Sequence, residues 1–286
     1  MSGQEKIYQM VTDQIISKLE QGTAPWQKPW KGGSSYAPVN LKSKKPYRGI
    51  NIFLLGCAGY SSRYWASFKQ VQQMGGKVKK GEKGHLCVFW KILSKKEHDK
   101  NGEEVEKNIP LLRYYKVFNL DQVEGIEDPD GDNFVAEHNS IEAAQNIIEN
   151  MPNKPKITYN EQRAYYRPSE DKVNIPKIES FVSSEEFYST SFHELVHSTG
   201  HKSRLNRKEI NQSFFGDQDY SFEELVAEFG SAFLCGESGI VNDVIDNSAS
   251  YINSWKKKLS DNPKWVVQAA GKAQKAADYI LDRKFD

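Results

Sequence analysis

Three histidines fall within nine residues of the stretch "STSFHELVHSTGHKSRLN", Ser189 to Asn206, and that residue type at that spacing bears on metal chemistry. His193 and His197 lie four apart, so a helix carries both imidazoles on one face, with Glu194 beside them. This is the HExxH signature, in which two imidazole nitrogens hold Zn2+ at about 2.0–2.1 Å and the glutamate activates the metal-bound water. Three fixed positions in five recur by chance in ordinary helices, so the reading requires a third ligand. His201 does not supply one through the metzincin spacing HExxHxxGxxH, which would put the histidine where Ser203 stands. Lying past the helix-ending Gly200, His201 reads either as a cation on the helix dipole or as a substrate contact.

The third ligand is expected from "YSFEELVAEFGSAFLCGESGI", a second helix starting at Ser221. Glu224 and Glu228 stand one turn apart on one of its faces, and Glu224 completes a His2Glu set. Two other readings stay open: Glu224 closing a capping box with Ser221, and the neighbouring Glu223 as the ligand. With Glu224 as ligand, Glu228 is expected behind it, accepting a hydrogen bond from a ligating imidazole. The helix that carries the signature opens at Ser183, in capping-box spacing with Glu186, and buries Phe187, Leu195 and Val196. Ahead of it, "AYYRPSEDKVNIP" reads as two short strands around a polar turn, with Tyr165 and Tyr166 as candidates to stabilise an oxyanion.

A different chemistry is written in the first half. Single-stranded nucleic acid is held by flat side chains that stack on bases and by cations that follow the phosphates. Trp26, Trp30, Tyr47 and Trp65, interleaved with Lys28, Lys31, Lys44, Lys45, Arg48, Lys69, Lys79 and Lys80, supply both. Trp26 and Trp30 sit in a Pro-rich segment with no helical or strand period to claim them for a core. The elements around them are mixed: an amphipathic first helix with Ile7, Val11, Ile15 and Leu19, a short helix capped by Ser67, and two strands, "HLCVFWKIL" and "LLRYYKVFNL", with a turn signal at Lys100 to Gly102.

The 286 residues suit two domains, and the net charge of +1 conceals an asymmetry between them. Residues 1–120 hold 21 Lys and Arg against 9 Asp and Glu, net +12, while residues 121–286 hold 18 against 29, net −11. We place the first domain at 1–125, an acidic linker at 126–138 and the second domain at 139–286. The longest apolar run, Ile50 to Tyr60, is too short for the roughly 20 residues that span a bilayer, so no membrane partner is expected. Three scattered cysteines offer neither a disulfide framework nor a zinc knuckle, which fits a reducing, cytoplasmic setting.

The blocks "PWQKPW", "PYRGIN", "WASFKQVQQMGGKVKKGEKG", "YYKVFNLDQVEGI", "HELVHSTGHKSRLNR" and "FEELVAEFGSAFL" together resemble the ArdC-type antirestriction proteins of conjugative plasmids and related mobile elements. The resemblance covers nearly the whole chain. It implies an α+β architecture: an N-terminal α+β domain that binds single-stranded DNA, and a C-terminal zincin-like metallopeptidase domain of the gluzincin HExxH type. By position, His193, His197 and Glu224 become Zn2+ ligands and Glu194 the catalytic base. In zincin-like folds an edge strand just before the metal helix receives an extended peptide, which places Ala164 to Arg167 at the substrate cleft. The implied function is protection of incoming DNA from restriction. Two alternatives are DNA shielding by occupancy around a structural metal, and a DNA-tethered protease acting on bound or crosslinked proteins. The protein substrate is not named by any of these blocks.

Overall fold

The first helix, α1 (Gly3–Glu20), starts where Ser2 and Glu5 form a capping box and turns Ile7, Val11, Ile15 and Leu19 into the interior. The computed structural model describes residues 2–27, 37–98, 104–131, 139–208, 210, 218–240 and 248–284. After α1, a 3-10 turn at Pro25–Gln27 carries Trp26 inward, and α2 spans Ile50–Gly56. A four-stranded sheet follows, in the order β1 (Val39–Asn40), β2 (Tyr64–Ser67), β5 (Glu104–Asn119), β4 (His85–His98). β4 and β5 form a long antiparallel hairpin in which Cys87 faces Tyr115 and Phe89 faces Arg113. The helix α3 (Phe68–Gln73) leaves β2 through a Ser67/Gln70 capping box, and β3 (Lys77–Val78) pairs with β6 (Val123–Glu124).

The second half is mainly helical: α4 (Ser140–Glu149), α5 (Ser184–Ser198), α6 (Gln218–Ser238), α7 (Ala249–Asp261) and α8 (Trp265–Ile280). A small sheet stands before α5, ordered β7 (Lys156–Thr158), β9 (Lys172–Asn174), β8 (Tyr165–Arg167), so that β8 is an edge strand lying against α5. The chain is therefore α+β, as expected. Among the described residues, no helix is long and apolar enough to cross a membrane.

One hydrophobic core runs through both halves. It joins Val11 and Ile15 of α1, Phe53 of α2 and Val88 of β4 to Phe192 of α5, Phe229 of α6, Trp255 of α7 and the alanines of α8. The rings of Phe53 and Phe229 stand 4.9 Å apart, and Trp26 packs on Phe229 at 5.1 Å and edge-on to Trp255 at 5.9 Å. Cutting such a buried ring to Ala costs about 3–5 kcal/mol. Arg48 adds an ion pair to Asp278 of α8 across the same junction. The expectation that Trp26 stacks on bases is thereby corrected: it is 3% exposed, and its indole nitrogen donates to the Tyr251 hydroxyl at 3.0 Å.

A candidate metal centre

α5 begins where the Ser183 hydroxyl accepts from the Glu186 amide, and its last two turns present His193 and His197 on one side. Their Nε2 atoms lie 3.2 Å apart. α6 crosses that face with unusual closeness, because position 230 is glycine: a Cβ there would meet the Val196 side chain at 2.7 Å. The crossing delivers Glu224, with carboxylate oxygens 3.5 Å from His193 Nε2 and 3.4 Å from His197 Nε2. α6 begins at Gln218, earlier than the expected Ser221, so Ser221 lies inside the helix and is no cap for Glu224.

Glu223 faces another way. Its Oε1 meets Nδ1 of His197 at 3.4 Å, and its carboxylate receives the buried Arg207 guanidinium, with Nε at 3.0 Å. Arg207 also donates to the Val196 carbonyl at 2.8 Å and the Thr199 hydroxyl at 2.6 Å, tying the end of α5 to α6. The expectation for Glu228 is corrected here. Its carboxylate accepts from the Tyr251 hydroxyl at 3.0 Å, and the carboxylate found on the far nitrogen of an imidazole is Glu223.

Electrostatics follow from this crowding. Burial opposes a charge on His197, yet the Glu223 and Glu224 carboxylates outweigh it and push its pKa up to about 10. Burial also disfavours the anion of Glu224, but hydrogen bonds from both imidazoles hold it well below the usual carboxylate range. One ligand atom each from His193, His197 and Glu224 lies within 4.8 Å of the others, a two-nitrogen, one-oxygen set that fits a divalent cation. Glu194 is buried one residue along from His193, and its charge reaches both histidines.

Tyr165 and Tyr166 are turned to their own hairpin: Tyr165 donates to Glu161 at 2.5 Å and Tyr166 to Asp171 at 3.0 Å. Asp171 in turn pairs with Arg204, whose Nε donates to the Ser198 carbonyl at 2.8 Å and so caps α5. His201 joins this network through Ser203 at 2.8 Å and Asp171 at 4.0 Å, away from the three ligand atoms. The tyrosine beside the cluster is Tyr220, which sequence reasoning missed. Burial, then the nearby carboxylates of Glu224 and Glu194, push the pKa of its hydroxyl up to about 12. An earlier start for α6 was the signal, since Tyr220 precedes Glu224 by one turn. Arg207 left no such trace.

The nucleic-acid residues fall into three groups. Lys28, Trp30 and Lys31 lie outside the described residues. Trp65, 2% exposed, and Tyr47 are buried with Cys87 and Val117, so their expected role as stacking platforms is corrected, as for Trp26. Lys45, Lys69 and Lys80 are exposed; Lys44 covers the Tyr64 ring at 4.6 Å, Lys79 donates to the Asp121 carbonyl at 2.8 Å, and Arg48 holds Asp278.

Two histidines on one helix, a glutamate from the next and a buried glutamate within the HExxH pair define a zincin-like metal centre. Residues 142–272 match the zincin-like metallopeptidase family, and residues 5–118 match the N-terminal domain of anti-restriction factor ArdC. The chain belongs to the ArdC antirestriction family. It is similar to the antirestriction ArdC protein of plasmid R388, whose metal-free crystal structure is 38% identical with 96% of each chain covered and a TM-score of 0.73. The Mn(II)-bound structure of that protein matches with a TM-score of 0.74 at 37% identity, covering 96% of this chain and 97% of that one. A DNA primase TraC of Escherichia coli is 36% identical over 98% of this chain, which spans only 20% of the primase. An uncharacterised protein of Sinorhizobium fredii is 34% identical, with 98% of this chain and 93% of the relative covered. A zincin-like fold implies a divalent metal, and the three donors above are the residues that would hold it.

Proposed function

We propose that the chain binds single-stranded DNA through its basic half and cleaves peptide bonds at the metal centre, protecting incoming mobile DNA from host restriction. The observation that carries the reading is the buried Glu194 inside the His193, His197 and Glu224 cluster, because a purely structural metal has no need of a general base. The metal, taken here as Zn2+, would acidify a water and polarise the scissile carbonyl. Glu194 takes the proton of the attacking water on its carboxylate and returns it to the leaving amine nitrogen. Glu223 and Arg207 hold the His197 ring in its orientation. The edge strand β8 pairs with the backbone of an extended peptide, and Tyr220 offers its hydroxyl to the developing oxyanion.

The +12 charge of residues 1–120 supports the DNA-binding part, as do the plasmid source of one relative and the primase name of another. Three cysteines, all free and buried, fit a reducing cytoplasm. The test is Glu194→Gln in a cell that restricts incoming DNA. Loss of protection with metal content unchanged supports proteolysis. Full protection by this variant would replace it with shielding of DNA by occupancy alone.

A further inference from the structure

With Trp26, Tyr47 and Trp65 inside the protein, the exposed rings among the described residues of the basic half are Phe68 on α3 and four on the β4–β5 hairpin, where they cluster. Side chains alternate along each strand, so Cys87, Phe89 and Lys91 of β4 share a face with Tyr115, Arg113 and Leu111 of β5, which stand opposite them in that order. At the root of that face Cys87 and Val117 are buried; beyond them Phe89 is 47% exposed and Tyr115 39%, with Lys91 and Arg113 exposed beside them. None of the positions on this face from 85 to 91 and from 113 to 117 is acidic. Tyr115 stands directly opposite Cys87 at that buried root, where Tyr47 packs with Cys87 and accepts from Asn40 at 3.2 Å. An open ring with two rotatable bonds, carried on a paired strand, loses little entropy when something flat lies on it.

We infer that a single strand of nucleic acid crosses this face of the hairpin, with two neighbouring bases stacked on Phe89 and Tyr115 and the phosphates following Arg113 and Lys91. Phe89 and Tyr115 are diagonal neighbours, about 7–8 Å apart. That is about twice the ~3.4 Å rise per nucleotide of one strand, which suits two adjacent bases splayed from each other rather than a paired duplex. The alternation of ring and cation matches what a strand presents, a π face beside each charge. Trp90 and Tyr114 are exposed on the opposite face, which Leu86, Val88 and Leu112 commit to the core, and they serve as the contrast.

The inference rests on the reading that the chain binds single-stranded DNA, and one experiment separates the two. Labelled oligothymidylate is titrated against the full-length chain by fluorescence anisotropy at several salt concentrations. Phe89→Ala and Tyr115→Ala each weaken binding roughly 5- to 150-fold, the range that one lost stacked base gives, with an unchanged salt slope. Phe89→Trp restores the affinity. Arg113→Gln lowers the slope by about 0.7, the share of one phosphate contact. Far-UV circular dichroism checks the fold, and Phe89, half in solvent, can be cut without opening the core. If the unaltered chain binds while Phe89→Ala and Tyr115→Ala bind equally well, the inference falls and the reading stands. Weakening by Trp90→Ala and Tyr114→Ala alone would move the site to the other face and overturn it too. If the unaltered chain does not bind the oligonucleotide, both fall.

Discussion

Glu223 and Glu224 differ by one position and so by about 100° around α6, which is enough to give them different work. Glu224 points between the two Nε2 atoms, while Glu223 reaches the back of one ring and a buried guanidinium. Glu224→Ala should therefore empty the site, whereas Glu223→Ala should keep a metal bound about 10- to 100-fold more weakly, as isothermal titration of the metal would read. It should also cost the fold about 3–5 kcal/mol, because Arg207 is left charged and buried without its partner. Glu194→Gln should retain the metal and lower peptide cleavage by about 10²- to 10⁴-fold, the usual share of a general base. A variant that cleaves at full rate would take Glu194 out of the proton transfer. The histidine pair could be read from spacing because helical periodicity is local. The choice between the two glutamates could not, since it depends on where α6 begins and how it crosses α5. Trp26 was illegible for a related reason: a Pro-rich segment shows no period, and its burial is decided by Phe229 and Trp255 far along the chain.

At the scale of elements, the site depends on how closely two helices approach. Glycine inside a helix ordinarily costs up to about 1 kcal/mol against alanine, so Gly230→Ala would stabilise α6 taken alone. Here the added methyl meets both Val196 branches, at 2.7 and 2.8 Å, and valine is stiff about χ1. Overpacking of this kind costs about 1–3 kcal/mol, so the steric term wins. Gly230→Ala should lower the melting temperature and weaken metal binding together, and adding Val196→Ala should recover much of both. Recovery of neither would mean that the glycine serves something other than the crossing. The capped helices α3 and α5 were readable from Ser67 and Ser183, because a cap is a signal within four residues, and α1 from the spacing of its apolar residues. The long reach of β4 and β5, and the aromatic face they expose, were hidden because both strands mix core and surface positions on the same side.

For the whole molecule, the charge asymmetry suggested two bodies with different partners, and the packing joins them through one interior. Phe53 stacks on Phe233 at 5.1 Å, Thr12 donates to the Pro263 carbonyl at 2.7 Å, and Trp26 connects through Tyr251 to Glu228. The full chain should unfold in a single calorimetric transition. Stripping the metal with a chelator should lower that one midpoint by about 4–5 °C, which is what roughly 2.7 kcal/mol of lost binding energy, the linkage at a metal concentration about 100 times Kd, gives in a chain of this size. Two separate transitions, with only the second moved by the chelator, would show that the shared interior is thermodynamically weak. Residues 1–125 made alone would carry Trp26, Phe53 and Leu54 bare to solvent and should aggregate.

That interior also bears on heredity. Where two functions are joined by a loose tether, recombination can trade either one, and descendants mix them freely. Where Trp26 of one half fills a slot built by Phe229 and Trp255 of the other, a crossover between them leaves both partners with an open wound in the core. A lineage that acquires the basic half is then expected to take the acidic half with it, as a single cassette.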